Sequence, residues 1–532
     1  MRRVPDLSIR AACLALALVI TACTSTLPNP SPSASGPSPI GSSIQSGSEP
    51  TPSASEAPPA GPVAFPLVVV TGYTNLKASI TMDELRAKRG VIAPCDLDQS
   101  VFEDFARLPR CMPADEIAAF LATHRQRIAL LPPGLVEPKT KVLPLDGVDL
   151  FGGPQARRHP YPLTGHAIGL PAAWTAYERR DIRTLISLGD SCPDRGPAYE
   201  AITKGKGWDW VFGGGRARYL DVRPNPAPPG TVGNGYNIVD AVPDDDAGAV
   251  ARLVGDADIT LDDFECPVVD SFRVHDGTIF SIDPRVLGHL KRDYGVDVVT
   301  LAANHQFDQG TAGFLESLRH FDAIGIPRAG AGVDLHQALA PAIVNRRGLR
   351  FAFVGFNQVI GSVAAGPGQP GVAWLTESNV RRAVRRARAA ADVVICIPQW
   401  WGGDTPGPNG GMEYTLAFRG DMRHWQDAMF AAGCDQVLGH GTHWSGPIDF
   451  SADANGIHVT MVSHGNFLFG QDWSQETQEG VVMELAFNGT RLVQARMHPY
   501  VMLLQAQTNL TDPETDGHYV LQRIFDGSDV IY

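Results

Sequence analysis

The chain has no excess of positive charge. It contains 44 Lys and Arg residues against 57 Asp and Glu residues, and its formal net charge is −13 at pH 7. Proteins that bind nucleic acids depend on Lys and Arg contacts with phosphates, so this balance argues against a nucleic-acid partner. An anionic partner of another kind would need a local patch of positive charge, because the local field matters more than the net charge.

The apolar run near the N-terminus, at 11–20, is too short to span a bilayer. It follows Arg residues and leads into the small residues before Cys23, which is typical of a lipoprotein signal peptide. We interpret 1–23 as that signal peptide, with a lipid on Cys23; the alternative is an ordinary signal peptide with a chance cysteine. The expected location is extracytoplasmic, lipid-anchored to the cell membrane.

Large apolar side chains are nearly absent from 24–65, which consists mainly of Ser, Pro, Gly, Thr and Ala. Such a segment cannot bury enough surface to order itself. We therefore predict a disordered tether, with a root-mean-square reach of roughly 35 Å for a random coil.

The next part, 66–150, has the pattern of a small α/β domain without a catalytic motif. We expect it to fold separately and to contribute no metal ligand. It carries a capping-box sequence at Thr81–Glu84. The predicted helix is 114–126, and the predicted strands are 67–70, 128–131 and 142–150. A connector at 151–181 follows, and 506–532 is predicted to be a C-terminal extension.

Between 182 and 505, apolar β-type runs alternate with helical segments, which indicates a layered α/β fold. Six predicted strands each end in polar residues that can act as ligands. Ligands of open α/β sheets bind outside the carboxyl ends of the strands, so we expect these side chains to converge. The six predicted strands are 185–188, 259–261, 298–301, 393–397, 436–438 and 459–462.

The converging residues combine carboxylate, amide and imidazole groups. This mixture suits Zn, Mn or Fe better than Ca²⁺, and such an ion can generate a hydroxide and stabilise charge during hydrolysis. His305 is the candidate proton donor to a leaving group; its alternatives are a metal ligand or a residue that fixes a loop. The candidate metal ligands are Asp190, Glu265, Asn304, His440 and His443.

Several segments resemble, in order and spacing, the CapA or poly-γ-glutamate (capsule) synthesis family of the metallophosphatase-like superfamily. The resemblance covers about 320 residues and rests on 187–190, 264–267, 301–305, 439–443 and 463–467. It implies a calcineurin-like metallophosphatase fold, a four-layer α/β sandwich, here preceded by the small separate α/β domain. It also implies a role in making, exporting or anchoring a capsule polymer.

The chain departs from the family pattern at three positions. Gln399 stands where the family often has histidine, Cys192 replaces the histidine of an Asp-x-His motif, and Ala303 precedes Asn304. We therefore expect one strong metal site and a second site that is weak or empty.

The remaining candidates concern the substrate and the cysteines. Gln399, Trp400 and Trp401 are candidate substrate-binding residues, although the tryptophans are equally typical of a core. Arg195, Lys204, Lys206 and Arg273 form either a basic patch for an anionic substrate or scattered surface charge. Cys95 and Cys111 are close enough to close one loop, but sequence does not decide disulfide pairing. Cys192 and Cys266 are interpreted as apolar packing residues, with thiolate ligands or a disulfide as alternatives.

Two functions compete. The first is a metal-dependent hydrolase or transferase that acts on an anionic polymer such as poly-γ-glutamate, on cell-wall material or on a phosphoester. The second is a non-catalytic lipoprotein that binds, exports or anchors the polymer with a degenerate metal site. The resemblance implies membrane synthetase subunits as further partners, beside the membrane itself through the lipid anchor.

Overall fold

The computed structural model describes residues 63–225, 235–403, 415–454 and 456–528. The predicted signal peptide with Cys23, and most of the predicted tether, lie outside the described residues. None of the helices in the described part of the chain is both long and apolar enough to cross a bilayer.

The N-terminal part forms a five-stranded sheet with an adjoining two-stranded ribbon. Its strands are β1 (Val63–Pro66), β2 (Val68–Gly72), β3 (Ile92–Pro94), β4 (Arg110–Met112), β5 (Ile128–Leu131), β6 (Thr140–Val142) and β7 (Thr164–Ala167). Its helices are α1 (Met82–Ala87), α2 (Ala114–Thr123) and α3 (Ala172–Thr175). The five-stranded sheet has the order β4-β3-β5-β2-β6.

Local sequence signals account for most of this module. Thr81 caps α1 through the predicted capping box with Glu84. The predicted strand at 142–150 is wrong beyond Val142, because Asp146 and Gly147 adopt positive φ angles of 48° and 76°. Asp-Gly in this conformation turns the chain back on itself.

The N-terminal module contacts the following segments through a strand pair and through shared core residues, as well as through the connecting chain. β7, from the predicted connector, pairs antiparallel with β1. The buried apolar cluster of the module also includes Ile182, Ala486 and Val493, which belong to the main domain. Separate folding of 66–150 stays a prediction.

The main domain alternates strands with helices. Its strands are β8 (Ile182–Cys192), β9 (Ala217–Asn225), β10 (Gly235–Pro243), β11 (Ile259–Phe264), β12 (Val298–Thr300), β13 (Arg328–Ala329), β14 (Ala331–Gly332), β15 (Ala342–Arg346), β16 (Leu349–Asn357), β17 (Gly371–Val372), β18 (Val393–Gln399), β19 (Gln436–Leu438), β20 (Ile448–Asp453), β21 (Gly456–Met461), β22 (Asn466–Phe469), β23 (Glu479–Asn488), β24 (Arg491–Leu503) and β25 (Gln507–Leu510). Its helices are α4 (Arg195–Ala198), α5 (Trp208–Phe212), α6 (Ala249–Gly255), α7 (Arg285–Arg292), α8 (Gly310–Ile324), α9 (Leu335–Ala338), α10 (Glu377–Ala390), α11 (Gly420–Ala432) and α12 (His518–Asp526).

Two large sheets pack face to face. The first has the order β13-β12-β11-β8-β23-β24-β25, with β22 also paired to β8, and the second has the order β15-β16-β18-β19-β21-β20. Side chains from both, among them Leu261, Phe353 and Ile395, form one buried cluster between them. Helices α5 to α8 cover the outer face of the first sheet, and α10 and α11 cover that of the second. The result is the expected four-layer α/β sandwich.

All six predicted strands are present, and they divide equally between the two sheets. β8, β11 and β12 are parallel neighbours in the first sheet, whereas β18, β19 and β21 are parallel neighbours in the second. The site therefore lies where the ends of two sheets meet rather than at the edge of one. The segment predicted as a C-terminal extension contributes β25 to the first sheet and α12 to the core between the sheets.

Candidate metal centre

The site is built around Asp190. This residue lies near the end of β8, a strand that is buried along its whole length. It pairs with Asp263 of β11 on one side and with Asn466 of β22 on the other. Gly189 permits this close approach, since a Cβ atom there would lie 2.1 Å from the carbonyl oxygen of Gly465. The Asp190 N–H donates to that same oxygen at 2.9 Å. The backbone thus fixes where the Asp190 carboxylate points.

Both predicted histidines converge on this carboxylate. Nδ1 of His440 lies 3.2 Å from Asp190 Oδ1, and Nδ1 of His443 lies 3.1 Å from Oδ2. Donor atoms of one tetrahedral ion, each bonded at about 2.0–2.2 Å, stand roughly 3.3 Å apart, so the spacing of each histidine from the carboxylate suits a bound ion. Burial raises the pKa of Asp190, but its hydrogen bonds with the two imidazoles outweigh burial and hold the pKa below its usual range.

The loop that carries the histidines is under backbone constraint. His443 has a φ of 55°, a left-handed conformation that costs a non-glycine residue about 1–2 kcal/mol. Gly441 has a φ of 87°, and a Cβ atom there would lie 2.2 Å from Cγ of Gln399. The Gly441 N–H also points at both carboxylate oxygens of Asp190, at 3.3 Å each. The loop is therefore built around Asp190 and Gln399.

Sequence reasoning missed one carboxylate, Asp263. Its Oδ2 lies 3.7 Å from Nδ1 of His440 and, among the described residues, has no hydrogen-bond partner although it is buried. Burial and the charges of Asp190, Glu265 and Asp262 raise the pKa of Asp263 well above its usual value. Burial also raises the pKa of Asp262 to about 7, despite the hydroxyl that Ser191 donates to it. The sequence signal that could have identified Asp263 is the pair of successive aspartates, Asp262 and Asp263, in an apolar strand.

Two groups of donors at this centre therefore fit a cation. Asp190, Asp263 and His440 form the first; Asp190, Glu265 and His443 form the second; within each group the donor atoms lie within 4.8 Å of one another, and all are buried. Buried carboxylates are costly unless a positive charge compensates them. Carboxylate together with imidazole is the donor set of transition metals. The residues fit such an ion, and its identity is open.

The side chains of Asn304 and Glu265 both bond to the side chain of Gln399. Nε2 of Gln399 donates to Glu265 Oε1 at 2.8 Å and to Asn304 Oδ1 at 2.9 Å. The backbone N–H of Asn304 donates to Gln399 Oε1 at 2.8 Å. The predicted ligand Asn304 is thus in the cluster, with its side-chain oxygen bonded to an amide.

His305 lies at the edge of the cluster, on the short 3-10 turn Asn304–Phe307. Its Nδ1 is 3.0 Å from Asp308 Oδ2, and its ring contacts the edge of Phe280 at a centroid distance of 4.6 Å. Burial opposes its protonation, but the hydrogen bond with Asp308 and the charge of Glu265 outweigh burial and raise its pKa. An imidazole at the rim whose pKa is raised suits a proton donor.

The structure pairs all six cysteines of the described chain, as Cys95–Cys111, Cys192–Cys266 and Cys396–Cys434. Cys192 and Cys266 are therefore neither thiolate ligands nor simple packing residues. Their bond joins the segments that follow Asp190 and Glu265, with the Cα atoms 5.4 Å apart.

The predicted substrate-binding residues do not form one patch. The Arg195 guanidinium lies over Phe280 at 4.7 Å and Phe469 at 5.6 Å, and these rings contact His305 and His443. Arg195 therefore stands beside the centre.

The other predicted basic residues have different surroundings. Lys204 lies over Tyr199, whereas Lys206 lies over Trp210 and pairs with Glu200 at 2.7 Å. Arg273 is exposed. Contacts of this kind with local side chains are those of surface charges.

The two tryptophans also separate. Trp400 is fully buried, and its indole N–H donates to the Val462 carbonyl at 2.7 Å. It belongs to the core behind the second sheet, which corrects its assignment as a substrate contact. Trp401 is half-buried.

Two further residues of the site come from the segment before and within β22. His464 stacks on His440 with ring centroids 4.7 Å apart, and burial lowers its pKa well below the usual value. Oδ1 of Asn466 lies 2.8 Å from Nδ1 of His443 and orients that ring. Both belong to the 463–467 motif, which was the available signal.

A four-layer α/β sandwich with buried carboxylates and imidazoles at its strand ends defines a metallophosphatase-like protein. Residues 184–471, more than half of the chain, match the model of the family described as bacterial capsule synthesis protein PGA_cap. The chain belongs to this family.

Two named relatives share this region. The PGA biosynthesis protein CapA of Bacillus subtilis (strain 168) is 28% identical over 239 residues, which are 44% of this chain and 59% of the relative. The capsule biosynthesis protein CapA of Bacillus anthracis is 25% identical over 255 residues, 46% of this chain and 58% of the relative. The chain thus spans about three fifths of the length of each.

Solved structures resemble the chain only weakly. A hypothetical protein from Thermus thermophilus has a TM-score of 0.32 and 14% identity, covering 60% of this chain and all (100%) of that protein. The NAD nucleotidase of Haemophilus influenzae has a TM-score of 0.31 and 11% identity, covering 66% of this chain and 64% of that protein. Scores of this size support no inference about activity.

Proposed function

We propose that this protein takes part in capsule or poly-γ-glutamate biosynthesis as a metal-dependent hydrolase or transferase. Its substrate is an anionic polymer or the bond that attaches the polymer to the cell wall. The observation that carries the proposal is the pair of imidazoles, His440 and His443, on the buried carboxylate of Asp190. The names of the two Bacillus relatives supply the substrate class.

The chain's own residues divide the work. Asp190 would hold a divalent transition metal (Zn, Mn or Fe) together with Asp263 and His440 or with Glu265 and His443. Such an ion supplies a hydroxide at neutral pH and neutralises charge on the attacked group. His305, whose pKa is raised by its hydrogen bond with Asp308, would deliver a proton to the leaving group.

Arg195 supplies the positive charge that an anionic substrate requires. Its guanidinium is held against Phe280 and Phe469. The first of these rings contacts His305 and the second contacts His443. A cation in this place lowers the cost of bringing an anion to a cluster of carboxylates.

The non-catalytic alternative rests on one observation, the hydrogen bonds of Gln399 with Glu265 and Asn304. In these hydrogen bonds, Gln399 occupies two oxygen atoms that a larger metal centre would use as ligands. In that case the protein would bind, export or anchor the polymer without cleaving it.

The test is to assay the purified mature chain, loaded with Zn²⁺, Mn²⁺ or Fe²⁺, on poly-γ-glutamate and on a phosphodiester. His443→Ala should abolish turnover of whichever substrate is used. His336→Ala is the matched control, because His336 is exposed on α9 and lies outside the groups of described side chains that could hold a metal ion. A chain that binds poly-γ-glutamate but cleaves neither substrate with any of the three metals establishes the non-catalytic role.

The location and partners belong to the same proposal. A lipid on Cys23 and the tether at 24–65 would hold the domain outside the cytoplasm, within reach of membrane synthetase subunits and nascent polymer. The N-terminal composition supports this arrangement.

A further inference from the structure

The orientation of the Gln399 carboxamide is fixed by its neighbours. The backbone N–H of Asn304, which can only donate, points at one end of the amide at 2.8 Å. That end must be the oxygen, so the NH₂ group faces the other way. Both N–H bonds of this group are then used, one for Glu265 Oε1 at 2.8 Å and one for Asn304 Oδ1 at 2.9 Å.

The two acceptors are oxygen atoms of the kind that bind metals. They come from different strand ends of the first sheet, yet they converge on one point at nearly equal distances. A carboxylate and a side-chain amide oxygen that meet in a buried place require a positive partner. In this chain the partner is the electropositive NH₂ group of Gln399.

We propose that the carboxamide of Gln399 takes the place of a second metal ion, so that this chain holds a single ion bound through the Asp190 carboxylate. The inference rests on the proposed metal centre and specifies how many ions it contains.

The surroundings keep Gln399 in this position. The residue is 2% exposed, and its Cγ lies so close to Gly441 that any side chain at that position would collide with it. Its backbone is held on both sides, by a bridge to His440 and by the N–H of Gln358, which donates to its carbonyl at 2.9 Å. The amide cannot swing away to admit an ion without disturbing the loop of the two histidines.

The experiment counts ions. The full mature chain and its Gln399→His variant are loaded with Mn²⁺, desalted, and measured by elemental analysis and electron paramagnetic resonance. Gln358→His serves as the matched control, because Gln358 directly follows the neighbouring strand β16 and its side-chain oxygen accepts from the N–H of Trp401 at 3.3 Å. Thermal melting verifies that each variant is folded.

The expected stoichiometry is one ion per chain for the wild type and for Gln358→His, and two for Gln399→His. The imidazole adds a ligand and frees Glu265 and Asn304, so two ions about 3.5–4 Å apart should give an exchange-coupled Mn²⁺ spectrum in that variant alone. Two ions in the wild type, or a folded Gln399→His variant that still holds one, would overturn the inference while leaving the metal centre in place. A wild type without any ion would overturn the metal centre and this inference together.

Discussion

Nδ1 of His440 lies 3.2 Å from Oδ1 of Asp190, although 250 positions of sequence separate the two residues. The contact joins the end of β19 in one sheet to the end of β8 in the other. It exists only because the two sheets pack face to face with these ends together. The predicted metal centre depends on this contact and on its counterpart, between His443 and the same carboxylate.

Replacing Asp190 by Asn should abolish stable metal binding. Asp190 belongs to both donor groups, so its loss weakens each of them. Loss of an outer-shell partner alone costs about 10–100-fold in metal affinity, and loss of a shared ligand should exceed the upper end of this range. Titration of the apo chain with Zn²⁺ measures the change, with His336→Ala as control. An Asp190→Asn chain that keeps wild-type affinity would show that the ion is held elsewhere.

His305→Ala should lower the turnover number by about 10²–10⁴-fold, the usual effect of removing a general acid. The loss should be largest for substrates with poor leaving groups, because these depend most on proton donation. Metal content should not change, since His305 bonds to Asp308 rather than to the ligand cluster. If the variant loses its metal instead, His305 is a ligand and the assignment of its role is wrong.

The Cys192–Cys266 bond should support the centre as well as the fold. Replacing both cysteines by Ala should lower the free energy of unfolding by about 2–4 kcal/mol, the usual contribution of a disulfide. It should also weaken metal binding, because the bond joins the segments that follow Asp190 and Glu265. The double variant at Cys396 and Cys434 is the control: it should lose stability and keep its metal affinity. Equal metal affinities in the two double variants would show that the Cys192–Cys266 bond does not support the metal centre.

Lys141 should make stability depend on pH. It borders a cavity of about 450 Å³ between the N-terminal module and the first sheet, where burial and the charge of Arg496 lower its pKa to about 7. An unfolded lysine titrates near 10.4. Between these pKa values the unfolded state binds more protons, so this residue makes stability rise with pH. Below about pH 7 the whole cost of the buried charge is present.

The Lys141→Met variant tests this sign. Its free energy of unfolding relative to the wild type should be highest near pH 6 and should fall as the pH rises toward about 9.5, as the linkage requires. Denaturant unfolding at several pH values measures the difference, and Lys139→Met controls for the loss of one positive charge. A difference that does not vary with pH would show that Lys141 is charged in the folded protein throughout this range.

The lipid anchor predicts a simple fractionation result. Cys23→Ala removes the only thiol that signal processing would acylate in the proposed lipoprotein, so the protein should move from the washed membrane fraction to the soluble fraction. Immunoblots of both fractions measure the shift, with Cys95→Ala as a control for cysteine loss. A Cys23→Ala protein that remains on washed membranes would exclude a lipid anchor at this residue.

Much of the centre was predictable because strand ends leave local signals. The apolar runs before Asp190 and Asn304 and before the Gly-His-Gly-Thr-His segment correspond to β8, β12 and β19. Parallel strands bring their carboxyl ends to one edge, so a list of strand ends approximates a list of ligands. Asp263 was not predicted, because side chains alternate along a strand. Sequence alone does not say whether Asp262 or Asp263 faces the histidines.

The sequence by itself determined the family, the order of strands and helices, and the identity of most candidate ligands, since these depend on local pattern and motif spacing. The tertiary structure alone decided that the six strand ends belong to two sheets, that Cys192 pairs with Cys266, and that Trp400 is core. It also decided that the Gln399 amide points at Glu265 and Asn304. Each of these depends on distances between residues far apart in the chain, which are set by how whole sheets pack and not by any neighbouring residue.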